Sequence, residues 1–211
     1  RQVSQSKAVD KSGRSRYLSP INAALEQSIE DGYAEFLRQK DSNALSPSFF
    51  IYTAQTFRKA GAPASLCLKI VMNVLETSLA NAQTCRVVAY FLMSIGLTDQ
   101  AVLAFRYVND LAPEEPQSLT DLSFSRFFKL RDELGKRQED SEQLDPFIVE
   151  GATAELHEIV ALLVTVIKKT DWPGRFAEIE WPCLILLSWV VEWGAWRLGV
   201  HKRTFWPESE L

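Results

Sequence analysis

The sequence predicts an all-α chain built from short helical hairpins in series, and three observations carry that expectation. In LTDQAVLAFRYVNDLAPEEPQSL, residues 97–119, Ala101, Phe105 and Val108 fall four and three apart, the spacing of one helix face, and Pro113 stops the run. Gly61 and Gly96 each close an apolar helical run, and a shift of 34 or 35 residues lays one on the other. The turns at these glycines are about two residues long, a length that joins antiparallel neighbours.

Each element follows from local signals. Residues 1–16, RQVSQSKAVDKSGRSR, are basic and serine-rich with few large apolar groups, and are expected to form a flexible arm. From Tyr17 a helical pattern begins, and Leu25, Ile29, Tyr33, Phe36 and Leu37 recur through INAALEQSIEDGYAEFLRQK as one helix. FFIYTAQTFRKAG, residues 49–61, starts after Ser46-Pro47-Ser48 and stops at Gly61. PASLCLKIVMNVLETSLAN then starts near Pro63, a residue suited to a first turn. AQTCRVVAYFLMSIG ends at Gly96, and TDQAVLAFRYVNDLAPEE opens on Thr98 or Asp99 as a cap.

A further helix is expected from Pro116 through SLTDLSFSRFFKLRDELG. The charged GKRQEDSEQLDP that follows reads as an aperiodic, disordered loop over 135–148. FIVEGATAELHEIVALLVTVIKKT resumes with a helix from about Thr153, with Leu156, Val160, Leu163, Val164 and Ile167 on one side. After the turn DWPGRF, a last helix is expected from Ala177 to Leu198. The array thus occupies residues 17–200, with 201–211 as a tail leading into a further domain.

A 34-residue helix-turn-helix period resembles the tetratricopeptide repeat, and the second copy matches its consensus at Ala89, Gly96, Ala101, Phe105 and Pro113. Small alanines let paired helices approach, Phe105 fills the space between hairpins, and Pro113 ends the unit. The first copy departs, with Cys67 and Leu79 where an alanine and the proline would stand. The implied fold is a tetratricopeptide-like α-α superhelix, a right-handed solenoid of about four hairpins and eight helices.

A second resemblance is more specific. FFIYTAQTFRKAG, then LCLKIVMNVLETSLANAQTCRVVAYFLMSIGLTDQAVLAFRYVNDLAPEEPQSLTDLSF, and later WPGRFAEIE resemble the helical region of large proteins carrying a vault-protein inter-alpha-trypsin (VIT) domain and a von Willebrand factor A domain. In those proteins the segment follows both domains and precedes a β-rich domain of unknown function. The resemblance covers about residues 17–190 and implies an internal helical module of a larger protein. It departs after RFAEIE, where WPCLILLSWVVEWGAWR is dense in tryptophan.

Chemistry for catalysis is sparse. With 211 residues and 46% hydrophobic composition the chain can bury a core, and a formal charge of -4 gives none of the basic footprint of a nucleic-acid binder. Cys67, Cys85 and Cys183 read as small core residues. His157 and His201 are the only histidines, and no nucleophile elbow, dinucleotide loop or phosphate loop is present. Asp10-Lys11-Ser12-Gly13-Arg14-Ser15 is similar to the metal loop of A-type domains, but Arg14 stands where a serine ligand belongs. The acidic pairs Glu114-Glu115 and Glu178-Glu180 suit helix starts. No enzyme activity, metal or cofactor is therefore expected.

The function expected of such an array is to bind a protein partner or to hold flanking domains of the same polypeptide. Counting inner-helix positions from Ser48, Ala82 and Pro116 gives Phe49, Tyr52, Thr56 and Lys59, then Gln83, Arg86, Tyr90 and Met93, then Gln117, Thr120, Phe124 and Phe127 as a groove. Tyr52, Arg86 and Tyr90 should be exposed if the groove binds a partner and buried if the module is only a spacer. Aromatics and arginine are the residue types enriched at interface hot spots. Trp189, Trp193 and Trp196 form a stripe at four and three spacing, read as a cap on the array and a domain-docking face, with a docking face for another subunit as the alternative. Residues 181–200 are long enough to cross a bilayer, but Pro182, Glu192, Gly194 and Arg197 make a buried terminal helix the better reading.

Overall fold

The computed structural model describes residues 16–76, 80–138, 144–168 and 177–206. These residues are all-helical and contain no strand. The helices are α1 (16–25), α2 (Ile29–Lys40), α3 (Pro47–Lys59), α4 (Ala64–Val71), α5 (Ala82–Ser94), α6 (Thr98–Leu111), α7 (Pro116–Gln138), α8 (Pro146–Lys168) and α9 (Ala177–Leu198). Short 3-10 turns follow α2 (Asp41–Asn43), α4 (Met72–Glu76) and α9 (Lys202–Phe205). The chain divides into two compact units, Arg1–Leu97 and Thr98–Leu211, so the boundary falls inside the second expected hairpin. The expected arm up to residue 15, the metal-like loop at Asp10 and the turn DWPGRF lie outside the described residues, and Arg16, the last residue of the expected arm, opens α1.

In the first unit the single helix expected over residues 21–40, after a short lead-in from Tyr17, is two helices. Ser28 breaks it, because its hydroxyl accepts the Asp31 amide at 2.9 Å and so caps α2. Phenylalanine rings knit this unit together. Phe36 stacks on Phe49 at 5.7 Å, and Phe49 meets Phe50 and Tyr17 edge-on at 5.2 Å each. Phe36, Phe49, Phe50 and Phe57 are fully buried, each contributing roughly 1.5–3 kcal/mol of apolar transfer. The α-helix after Pro63 is shorter than expected. The Asn73 amide donates to the carbonyls of Lys69 and Ile70 at 2.7 and 3.0 Å, competing with the helical ladder where α4 tightens into a 3-10 turn.

The repeat is visible in the backbone of this unit, and its period is 35. Ser46 caps α3 and Asn81 caps α5, the latter with a reciprocal capping box to Thr84. Both helices end in the same motif at Gly61 and Gly96, with φ of 85° and 80°. The Ala62 amide reaches the Phe57 carbonyl and the Gly61 amide that of Arg58, at 3.0 and 3.1 Å. Leu97 and Gly96 repeat this to Leu92 and Met93, both at 3.0 Å. The left-handed backbone there is the reason for glycine.

In the second unit α7 packs with α6 and α8, and α8 with α9. Leu130 and Leu134 of α7 meet Leu156, Ile159, Val160 and Leu163 of α8 and Cys183, Leu187 and Val190 of α9 in one core, closed by Phe205. The loop expected over 135–148 is mostly helix at its edges. α7 continues to Gln138, three residues past Gly135, where the charged text begins. α8 starts at Pro146 rather than Thr153, since the Asp145 carboxylate accepts the Phe147 amide at 2.8 Å and Pro146 fits the first turn. Residues 139–143 lie outside the described set. At Gly194 α9 comes so close to its neighbours that an added Cβ would sit 2.7 Å from Leu156.

Candidate interaction surfaces

The expected groove residues divide sharply. Tyr52 and Thr56 are half-buried, while Lys59 and Gln83 are exposed and Tyr90 is 41% exposed. Arg86, expected on the open face, is only 4% exposed, and its Nη1 donates to Gln83 Oε1 at 3.0 Å. The reason is register. With caps at Ser46 and Asn81, Ile51 is the equivalent of Arg86, and both are buried. Counting from Ser48 and Ala82 used 34 residues, and one residue turns a helix by about 100°.

The corrected register gives two outward rows in the first unit. On α3 the row is Ser48, Tyr52, Gln55 and Lys59, and on α5 it is Gln83, Val87, Tyr90 and Ser94. The members of each pair are 35 apart, and every residue in the α5 row is exposed. Val87 escaped the sequence reading, although aligning the two N-caps would have found it. Phe49, also assigned to the groove, is in the ring cluster instead. In the second unit, Gln117 is half-buried and Phe127 buried, while Phe124 packs on Phe128 with centroids 4.4 Å apart.

A cleft of about 360 Å³ opens in the second unit between α6, α7 and α8. Val102, Leu130, Leu134 and Ile148 give it apolar walls, and Arg106, Arg126, Lys129, Glu133 and Glu155 give it charge. Arg126 holds the Glu155 carboxylate two-handed, Nε to Oε1 at 2.7 Å and Nη2 to Oε2 at 2.8 Å, and also bonds Glu158. These bonds keep the Arg126 guanidinium charged and hold Glu158 below the usual carboxylate range. Lys129 bonds Asp99 at 2.7 Å and is raised by that contact. The ion pairs join residues 29 to 32 apart on different helices, a relation that no sequence spacing signals.

The tryptophan stripe is divided in the structure. Trp193 packs against the core and meets Phe127 edge-on at 5.4 Å. Trp189 and Trp196 point outward, 56% and 75% exposed, and Trp181 joins them at 73%. Among the described residues no helix is long and apolar enough to cross a membrane, and no three His, Cys, Asp or Glu side chains come together around a metal-sized space. Cys67, Cys85 and Cys183 are all buried free thiols, and burial pushes each above its ordinary pKa, Cys183 to about 11. Comparison with protein-family models, curated proteins and solved structures finds no match.

Proposed function

We propose that this chain is a non-catalytic helical-hairpin module that recognises a protein partner through the outward rows of α3 and α5. The observation that carries the reading is the 35-residue duplication of cap, helix and closing motif, which makes Tyr52 the repeat equivalent of Val87 and Gln55 that of Tyr90. Repeated helical pairs offer adjacent parallel surfaces, and exposed tyrosine is a residue of binding hot spots. The likeness to the helical region of VIT and von Willebrand factor A proteins suggests the setting, a module inside a larger multidomain scaffold.

A second reading, a spacer whose faces are filled by its own polypeptide, draws on the burial of Arg86 and Phe49. A photo-crosslinking side chain at position 90 separates the two in the source cell. The module reading expects adducts with a different protein, lost when Val87→Glu is added. Crosslinks confined to the chain's own polypeptide would favour the spacer.

A further inference from the structure

The geometry points to α9 as a self-association surface, on which two copies of this chain pair antiparallel through their exposed tryptophan faces. This inference stands apart from the partner reading, because it uses only the second unit. Trp181, Ile185, Trp189 and Trp196 fall at intervals of four, four and seven, a single stripe about 22 Å long. The opposite side of the same helix, Cys183, Leu187 and Val190, is in the core, so the stripe is surplus to packing within the unit.

Area supports a second copy as the occupant. A tryptophan buries about 150–250 Å² when covered, so these three at their observed exposure leave roughly 400 Å² of apolar indole. With Ile185 and Leu184 included, a symmetric pair covers about 1,000 Å², the threshold of a specific interface.

The tryptophan positions are also self-complementary, while Ile185 falls opposite the partner's Glu192. A two-fold axis between Ser188 and Trp189 sets Trp181 opposite the partner's Trp196, and sets the Trp189 indole over the short side chain of the partner's Ser188. The ends match in charge. Glu178 and Glu180 lie in the first turn of α9, while Arg197 lies in its last turn and Arg203 follows it, so antiparallel pairing brings acid to base where parallel pairing would bring like to like. Glu192, inside the stripe, is already neutralised by Lys202. A lipid leaflet fits less well, since that ion pair would have to enter hydrocarbon with the indoles.

Sedimentation equilibrium of the full chain tests this. The mass is expected to rise from 23.9 kDa toward twice that value through the micromolar range. Trp189→Glu and Trp196→Glu should each weaken association at least about tenfold while far-UV circular dichroism stays unchanged, as expected of hot-spot aromatics. Glu178→Lys with Glu180→Lys should also weaken it, and mixing that chain with Arg203→Glu should restore pairing. A wild-type chain that stays at the single-chain mass throughout, including one that binds vesicles as a monomer, would overturn the inference. So would a dimer of unchanged strength in both tryptophan variants.

Discussion

At Thr53 the side-chain hydroxyl is buried and, among the described residues, has no hydrogen-bond partner. The residue one repeat later is Val88, equally buried, with a methyl where Thr53 carries oxygen. An unsatisfied buried hydroxyl costs about 1–3 kcal/mol relative to one that is bonded or absent. Thr53→Val is therefore expected to raise the free energy of unfolding by about 1 kcal/mol, measured by urea denaturation. An equal loss would mean that the hydroxyl has a partner, such as a water. The same equivalence accounts for Arg86, which fills the position of Ile51 and keeps its guanidinium satisfied partly through Gln83. Both residues are unexceptional in sequence; only the repeat register says what each position demands.

Among the elements, α7 and α8 are fastened by the Arg126 pairs as well as by their shared core. Glu158 is held low, so its contribution is complete above the ordinary glutamate pKa of about 4.3 and is lost as pH falls through its depressed folded value. Arg126→Met should cost about 1 kcal/mol at neutral pH, a modest figure because Glu158 is largely solvated. The gap between wild type and variant should close as pH falls below the ordinary glutamate range, read from denaturant midpoints at each pH. A gap independent of pH would assign the loss to packing of the arginine stem. Helix existence was legible at this scale, because periodicity and caps are local: Ser46, Gly61 and Gly96 mark real ends, and α9 spans the expected residues. Boundaries failed where a polar residue acts through a specific bond. Ser28 splits a continuous apolar pattern, Asn73 shortens α4, and Asp145 starts α8 inside a charged stretch. Surfaces were least legible, since a one-residue error in the repeat turned Arg86 outward and hid Val87.

For the molecule as a whole, the three cysteines report separately on its two units. Cys67 and Cys85 belong to the first and Cys183 to the second, and all three are fully buried with thiols pushed away from the reactive thiolate. In the native state none should react with a thiol reagent on the timescale that labels an exposed cysteine. As denaturant is raised, Cys67 and Cys85 should become reactive at one common concentration, because the helices carrying them belong to the same unit as the ring cluster around Phe49. Cooperative units open together even when a chain as a whole does not. Mass spectrometry of labelled peptides across a urea series gives the three midpoints directly. Divergent midpoints for Cys67 and Cys85 would mean that the repeats of the first unit open one at a time, as in a one-dimensional array. A Cys183 midpoint apart from a shared Cys67 and Cys85 midpoint would give the two units separate stabilities. Three coincident midpoints would mean that the hairpins fold as a single cooperative body.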